Sequence, residues 1–136
     1  MLRRLAIVEV EEGVIAAEQL NLTLSLRGTR EIREKYQIIR LTGLLDAYSE
    51  QAFLKTVISC LHKGPKNLIL VLSQIDFIDS SGLGVLVQIV KATKDEGGNL
   101  QIVTNARVTQ TVKLARLESY LPLHPSLEAA LEKVEA

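Results

Sequence analysis

From Asn21 to Arg27 the chain alternates. Leu22, Leu24 and Leu26 fall on one side, and Asn21, Thr23, Ser25 and Arg27 on the other. A period of two predicts a strand with one buried face. Gly28-Thr29 breaks the run, the charged stretch Glu31 to Lys35 is expected at the surface, and Gln37 to Leu41 reads as a second strand closed by Gly43. Together these predict an antiparallel pair. Upstream, Val8-Glu9-Val10 alternates like a strand, and Val14 to Gln19 fits a turn of helix.

Beyond residue 48 the period changes. Ser49 stands where a helix N-cap belongs, with Glu50 in the first turn. Phe53, Val57, Cys60 and Leu61 follow at helical spacing until Gly64-Pro65. Asn67 to Leu72 is a continuous apolar run, the pattern of a strand covered on both faces. Ser80 or Ser81 opens a helix running to about Glu96, with Val85, Ile89 and Ala92 on one face. Gly97-Gly98 ends it. Leu100 to Val103 predicts a strand, Val108, Val112 and Ala115 a helix, Tyr120 to Leu123 a short edge strand, and Ser126 caps a last helix through Val134. The alternation predicts one α/β domain with helices over a mostly parallel sheet.

Composition narrows the function classes. The 136 residues are enough for one core, and 47% hydrophobic with 24% charged residues is ordinary for a folded protein. Lys plus Arg (16) balances Asp plus Glu (16), so the basic excess of a dedicated nucleic-acid binder is missing. A single cysteine, Cys60, excludes an intrachain disulfide and a cysteine-rich zinc site. No apolar run approaches a membrane span. Met1 to Val8 begins like a signal peptide, but Glu9, Glu11 and Glu12 interrupt it, so a cytoplasmic protein is expected.

Candidate chemistry concentrates in Phe77-Ile78-Asp79-Ser80-Ser81-Gly82-Leu83-Gly84. Two hydroxyls and a carboxylate lie where a buried strand gives way to a helix N-terminus. Capping alone accounts for Asp and Ser there. It does not account for Gly82 and Gly84, which lower helix propensity in the first turn and leave room for another molecule's backbone. A second segment, Leu41 to Ser49, carries Asp46 at another strand-to-helix turn. Asp46 reads simply as a turn residue bonding its own backbone. Parallel α/β sheets gather such turns at one edge, which allows Asp46 and Ser80 to be neighbours. Catalytic motifs are missing: no third glycine of a dinucleotide fingerprint, no P-loop, no Gly-x-Ser-x-Gly elbow. His62 and His124 have no Cys or His at metal-ligand spacing, so no metal site is expected.

Over about residues 20 to 134 the chain resembles the STAS domain of bacterial anti-sigma factor antagonists. The residues that carry the resemblance are Ile78-Asp79-Ser80-Ser81-Gly82-Leu83-Gly84, supported by Leu41-Thr42-Gly43 with Asp46, Gly97-Gly98-Asn99-Leu100, and the helix around Val112 to Leu117. The resemblance implies a STAS-type single domain, a mixed β-sheet covered by about four helices, over residues 20–136, with residues 1–19 as an N-terminal extension. It implies that Ser80 is phosphorylated by a partner kinase that is also the anti-sigma factor. A metal-dependent serine phosphatase then resets the switch. Asp46 matches an acidic residue that helps the kinase complex, and Asp79, Ser81, Gly82, Leu83 and Gly84 match the partner-binding loop. Where the family often has Glu after the glycine of the first turn, this chain has Leu44.

The function the resemblance implies is partner switching with no catalysis, no cofactor of its own because ATP and its metal belong to the kinase, and no direct nucleic-acid or membrane contact. One alternative is a STAS module serving another signalling enzyme or phosphatase. The other is a small serine hydrolase, which requires His62 or His124 beside Ser80 or Ser81. Leu5, Ile7, Val8, Val10, Val14 and Ile15 form an apolar set in the extension, expected to pack on the domain or to make a homodimer.

Overall fold

In the computed structural model, residues 3–6 and 13–135 are described, residues 3–6 and 135 by their backbone only. Seven strands form one sheet in sequential order: β1 (Arg3–Ala6), β2 (Val14–Asn21), β3 (Leu26–Arg33), β4 (Tyr36–Leu45), β5 (Asn67–Ile78), β6 (Leu100–Val103) and β7 (Leu123–His124). β1 to β4 pair antiparallel, and β4 to β7 pair parallel. Four helices follow strands in the parallel half: α1 (Glu50–Lys63), α2 (Ser80–Asp95), α3 (Ala106–Leu114) and α4 (Leu127–Glu135). The sheet is therefore mixed, not mostly parallel.

The N-terminal third departs most from the sequence pattern. The alternating leucines do not share a strand: β2 ends at Asn21, Leu22 to Ser25 turn, and β3 starts at Leu26. Gly43 explains the tightness of that turn. Its φ is +120°, and a Cβ there would collide with the Ser25 carbonyl, so only glycine lets β4 pass under the turn. Gly28-Thr29 lies inside β3, opposite Leu41 and Arg40. Val14 to Gln19 is strand, not helix, because Glu18 and Leu20 turn inward while Gln19 turns out. β2 thus runs across residues 19 and 20 without interruption. Of the apolar set in the extension, Val14 is half-buried and Ile15 exposed. Ile7, Val8 and Val10, the Val8-Glu9-Val10 strand expectation, and the side chain of Leu5 lie outside the described residues.

One core lies between the sheet and the α1, α2 and α3 layer, built on Leu26, Ile39, Leu41, Phe53, Val57, Cys60, Leu70, Val85, Ile89 and Val108. α4 covers the opposite face over only part of its width, packing Ala130 and Val134 on Ile38, Ile69 and Val103. Burial is not wholly apolar. Arg30 and Glu18 pair at 3.1 Å with 5% and 8% exposure. Arg30 Nε donates to Gln37 Oε1 (2.7 Å), and Gln37 Nε2 donates to the carbonyls of Cys60 (2.9 Å) and Pro65 (2.8 Å). This polar string ties three antiparallel strands to the end of α1. The charged stretch Glu31 to Lys35 is likewise only partly exposed. Glu31 and Arg33 are half-buried and joined at 2.7 Å, leaving Glu34 and Lys35 in solvent.

β5 outruns β6, which pairs with it only from Leu68 to Val71. Asn105 covers the open edge. Its Nδ2 donates to the carbonyls of Leu72, Ser73 and Ile75 at 3.3, 3.3 and 2.9 Å, while its Oδ1 caps α3 by accepting from Val108 N (2.8 Å). The last strand is shorter and later than the sequence predicts, Leu123–His124 in place of Tyr120 to Leu123. It pairs parallel with Ile102 and Val103. Ala115 caps α3 and is exposed, so it does not join Val108 and Val112 in the core.

His124 belongs to a polar chain under α4. Gln101 Nε2 donates to Asn99 Oδ1 (2.6 Å), so Gln101 Oε1 accepts from His124 Nε2 (2.5 Å). Desolvation first, and the Lys133 charge second, lower the His124 pKa from its ordinary 6.5. The unfolded chain therefore binds this proton more tightly than the folded one. Its contribution is complete above pH 6.5 and declines as pH falls through the lowered folded value. An NMR titration should place His124 below 6.5. His124→Gln should flatten the acid side of the stability curve, measured by urea unfolding at several pH values.

Candidate functional site

The carboxyl ends of β4 and β5 meet at one sheet edge. Leu44 pairs with Phe77 and Leu45 with Ile78, and Asp79 N then donates to the Leu45 carbonyl at 3.2 Å. Asp46, next after Leu45, and Ser80, next after Asp79, are thereby brought to the same edge, as the spacing of the two turns allows. Gly82 is buried against this junction: a Cβ would run into the Leu45 carbonyl. Its lack of a side chain lets α2 start directly on the end of β4.

The helix opens at Ser80, as expected, and of the Asp and Ser candidates its cap is Asp79. Its Oδ1 accepts from Ser81 N (2.9 Å) and Gly82 N (3.1 Å). Ser80 is the first helical residue and is exposed. Among the described residues its hydroxyl has no hydrogen-bond partner. Asp46 Oδ1 accepts from Tyr48 N (3.0 Å) and Ser49 N (3.1 Å), the turn chemistry its position predicts. Ser49 holds the N-cap position of α1 but makes no side-chain cap bond. Its buried hydroxyl donates to the Leu44 carbonyl (2.9 Å) and accepts from Asp46 N (3.0 Å), bracing the Asp46 turn. Asp46 and Asp79 each spend Oδ1 inward. Oδ2 of each has no hydrogen bond among the described residues.

The seven predicted site residues separate by exposure. Ser80 and Gly84 face solvent, and nothing lies within 4 Å of a Cβ built on Gly84. Asp46, Asp79 and Ser81 are half-exposed. Gly82 is buried and Leu83 is 5% exposed, so both shape the loop from beneath. Sequence reasoning missed an apolar rim. Leu24 (106% exposed), Tyr48 (91%) and Phe77 (46%) lie at this same end of the sheet, on the β2–β3 turn, the Asp46 turn and the end of β5. The leucine alternation concealed Leu24 by assigning it to a buried face.

Neither histidine serves these serines. His62 is in the last turn of α1, at the opposite end of the helix from Ser49, with Nε2 3.9 Å from Glu96. His124 Nε2 is bonded to Gln101. Among the described residues no group of three or more His, Cys, Asp or Glu is placed to hold a metal, and no helix is long and apolar enough to cross a membrane.

The cap assignment has a measurable consequence. Asp79→Ala should cost about 1 kcal/mol by freeing two helix donors. Ser80→Ala, which removes no protein hydrogen bond, should change stability by less than about 0.5 kcal/mol. Urea unfolding of the two variants checks the order, which would reverse if Ser80 were the cap.

Comparison with known proteins agrees with this architecture. The profile of the STAS domain matches residues 27–130. A candidate anti-sigma factor antagonist of Thermotoga neapolitana is 36% identical over 76 residues, covering 55% of this chain and 67% of that protein. The crystal structure of an anti-sigma factor antagonist from Mycobacterium paratuberculosis superposes with a TM-score of 0.70 at 22% identity, covering 82% of this chain and 96% of the other. The phosphorylated form of the Bacillus cell fate determinant SpoIIAA superposes at 0.60 with 17% identity, covering 79% and 98%. With its mixed sheet, four helices and family match over most of its length, this chain belongs to the STAS domain family.

Proposed function

We propose that this protein is an anti-sigma factor antagonist that works by partner switching in the cytoplasm. Unphosphorylated, it binds an anti-sigma factor that is also a serine kinase, and so releases the sigma factor. Phosphorylation of Ser80 ends the contact until a metal-dependent serine phosphatase removes the phosphate. ATP and metal belong to the partner enzymes, and DNA is not contacted. The observation that carries the reading is an exposed hydroxyl on the first residue of α2, without a hydrogen-bond partner among the described residues, beside Asp46 and Asp79. Sequence similarity to a candidate anti-sigma factor antagonist supports it.

The geometry supplies a physical basis for the switch. A phosphoserine carries about −1.5 to −2 charge at neutral pH. The helix donors that would otherwise receive it, Ser81 N and Gly82 N, are occupied by Asp79. The phosphate therefore projects outward, between two carboxylates and an apolar rim. A partner seated on Leu24, Tyr48, Phe77 and the open surface at Gly84 would have to desolvate that charge. Asp46, Asp79 and Ser81 are its polar contacts in this reading, while Gly82 and Leu83 hold the loop in shape.

Incubation with the cognate kinase and ATP, followed by mass spectrometric mapping, tests the acceptor. Phosphate should appear on Ser80, disappear in Ser80→Ala and persist in Ser81→Ala. Asp46→Asn should slow transfer with little change in melting temperature. Phosphate on Ser81 alone would overturn the assignment of Ser80.

A further inference from the structure

The face of the sheet opposite α1 and α2 carries a second concave surface, remote in chemistry from the Ser80 loop. Because α4 covers only part of this face, no other described element lies over β2, β3 and β4 beside it. The step encloses about 490 Å³, within the range of small-molecule sites. Strand register places its lining. Asn21 lies opposite Arg27, Arg27 opposite Thr42, and Thr42 opposite Gln74. In the adjoining row Gln19 lies opposite Thr29, Thr29 opposite Arg40, and Arg40 opposite Val71. Ser73 completes the polar wall.

The groove's own described lining carries charge of one sign, although the sheet face beside it interleaves Glu31 with Arg33 and Arg40. Solvated faces interleave opposite charges across strands, because like charges side by side repel. Here Arg27 and Arg40 are diagonal neighbours, with Glu31 beside Arg40, and none of the described residues that line the groove is acidic. Arg40 spends one nitrogen on Glu31 at 3.3 Å. Arg27 makes no hydrogen bond or ion pair among the described residues. The Arg27 side chain and the remaining nitrogens of Arg40 therefore stand at a groove whose other polar side chains, among the described residues, are neutral hydroxyls and amides.

We propose that this groove binds a small phosphate monoester with a hydroxylated body. The guanidinium fork matches two oxygens of a phosphate. Thr29, Thr42 and Ser73 hydroxyls, with the Gln19, Asn21 and Gln74 amides, supply donors and acceptors for ligand hydroxyls. The lining has no aromatic side chain, so there is no stacking platform for a nucleobase. The site uses neither Ser80 nor its neighbours, so it stands or falls separately from partner switching.

The test is a ¹H–¹⁵N NMR titration of the full chain with glycerol 3-phosphate at constant ionic strength, with inorganic phosphate, glycerol and succinate as controls. Saturable shifts should centre on the amides of Asn21, Arg27, Thr29, Thr42 and Gln74. Inorganic phosphate should perturb the same residues more weakly, and glycerol and succinate should not. Arg27→Gln removes no hydrogen bond or ion pair among the described residues and should leave the ligand-free melting temperature unchanged while weakening binding roughly tenfold or more. Shifts centred on the start of α2, no saturation into the millimolar range, or unchanged affinity in Arg27→Gln would overturn the site. Equal affinity for inorganic phosphate or succinate would overturn the ligand class.

Discussion

Two parallel strands necessarily deliver their carboxyl ends to the same edge of a sheet, and the candidate site depends on β4 and β5 doing so in close register. β4 has 10 residues and β5 has 12. Two register shifts absorb the difference, one between Arg40 and Thr42 and one between Gly43 and Leu44, so both strands finish together at Leu45 and Ile78. The Asp79 N–H bond to the Leu45 carbonyl then joins the turns, and Gly82 lets α2 sit on that junction. Without this register the Asp46 turn and the Ser80 helix start would be two unrelated caps.

The same constraint separates shape from charge. Asp79 already fills the helix donors and Asp46 already closes its own turn, so the backbone at this edge is satisfied by the protein itself. Ser80 contributes nothing to that network. A group attached to its hydroxyl alters the electrostatics of the surface and leaves the hydrogen bonds beneath it in place. A switch built this way needs no conformational change. It needs a partner that requires this edge dry and uncharged, and Leu24, Tyr48 and Phe77 supply apolar area for such a contact.

Much of the parallel half could be read from the chain because each element there carries a local signal. Phe53, Val57, Cys60 and Leu61 define a helix face, and Asn67 to Leu72 defines a buried strand. In the antiparallel half the strand at Gln37 to Leu41 and an antiparallel pairing were legible, but the rest was not, because its pattern has a non-local cause. Leu22, Leu24 and Leu26 alternate, yet a turn enforced from β4 by Gly43 separates them. Buried Glu18 and Arg30 also defeat a hydrophobic-face reading, since each is tolerated only because the other is there. At the site, Ser80 and Asp46 were visible as residues at element junctions. Which of the Asp and Ser candidates caps α2 depends on side-chain direction, which spacing does not encode. The apolar rim is assembled from three separate segments, and no single stretch of sequence displays it.

In the proposed switch, a phosphate on Ser80 changes binding without changing fold. Isothermal titration of the cognate anti-sigma kinase with unmodified chain and with chain homogeneously phosphorylated on Ser80 measures it directly. Amide spectra of both forms, recorded alongside, report the fold. The prediction is an affinity weaker by roughly 30-fold or more on phosphorylation, equivalent to at least about 2 kcal/mol, with spectral changes confined to the ends of β4 and β5 and the first turn of α2. Equal affinities for the two forms, or a phosphorylated chain whose spectrum changes throughout the sheet, would contradict it.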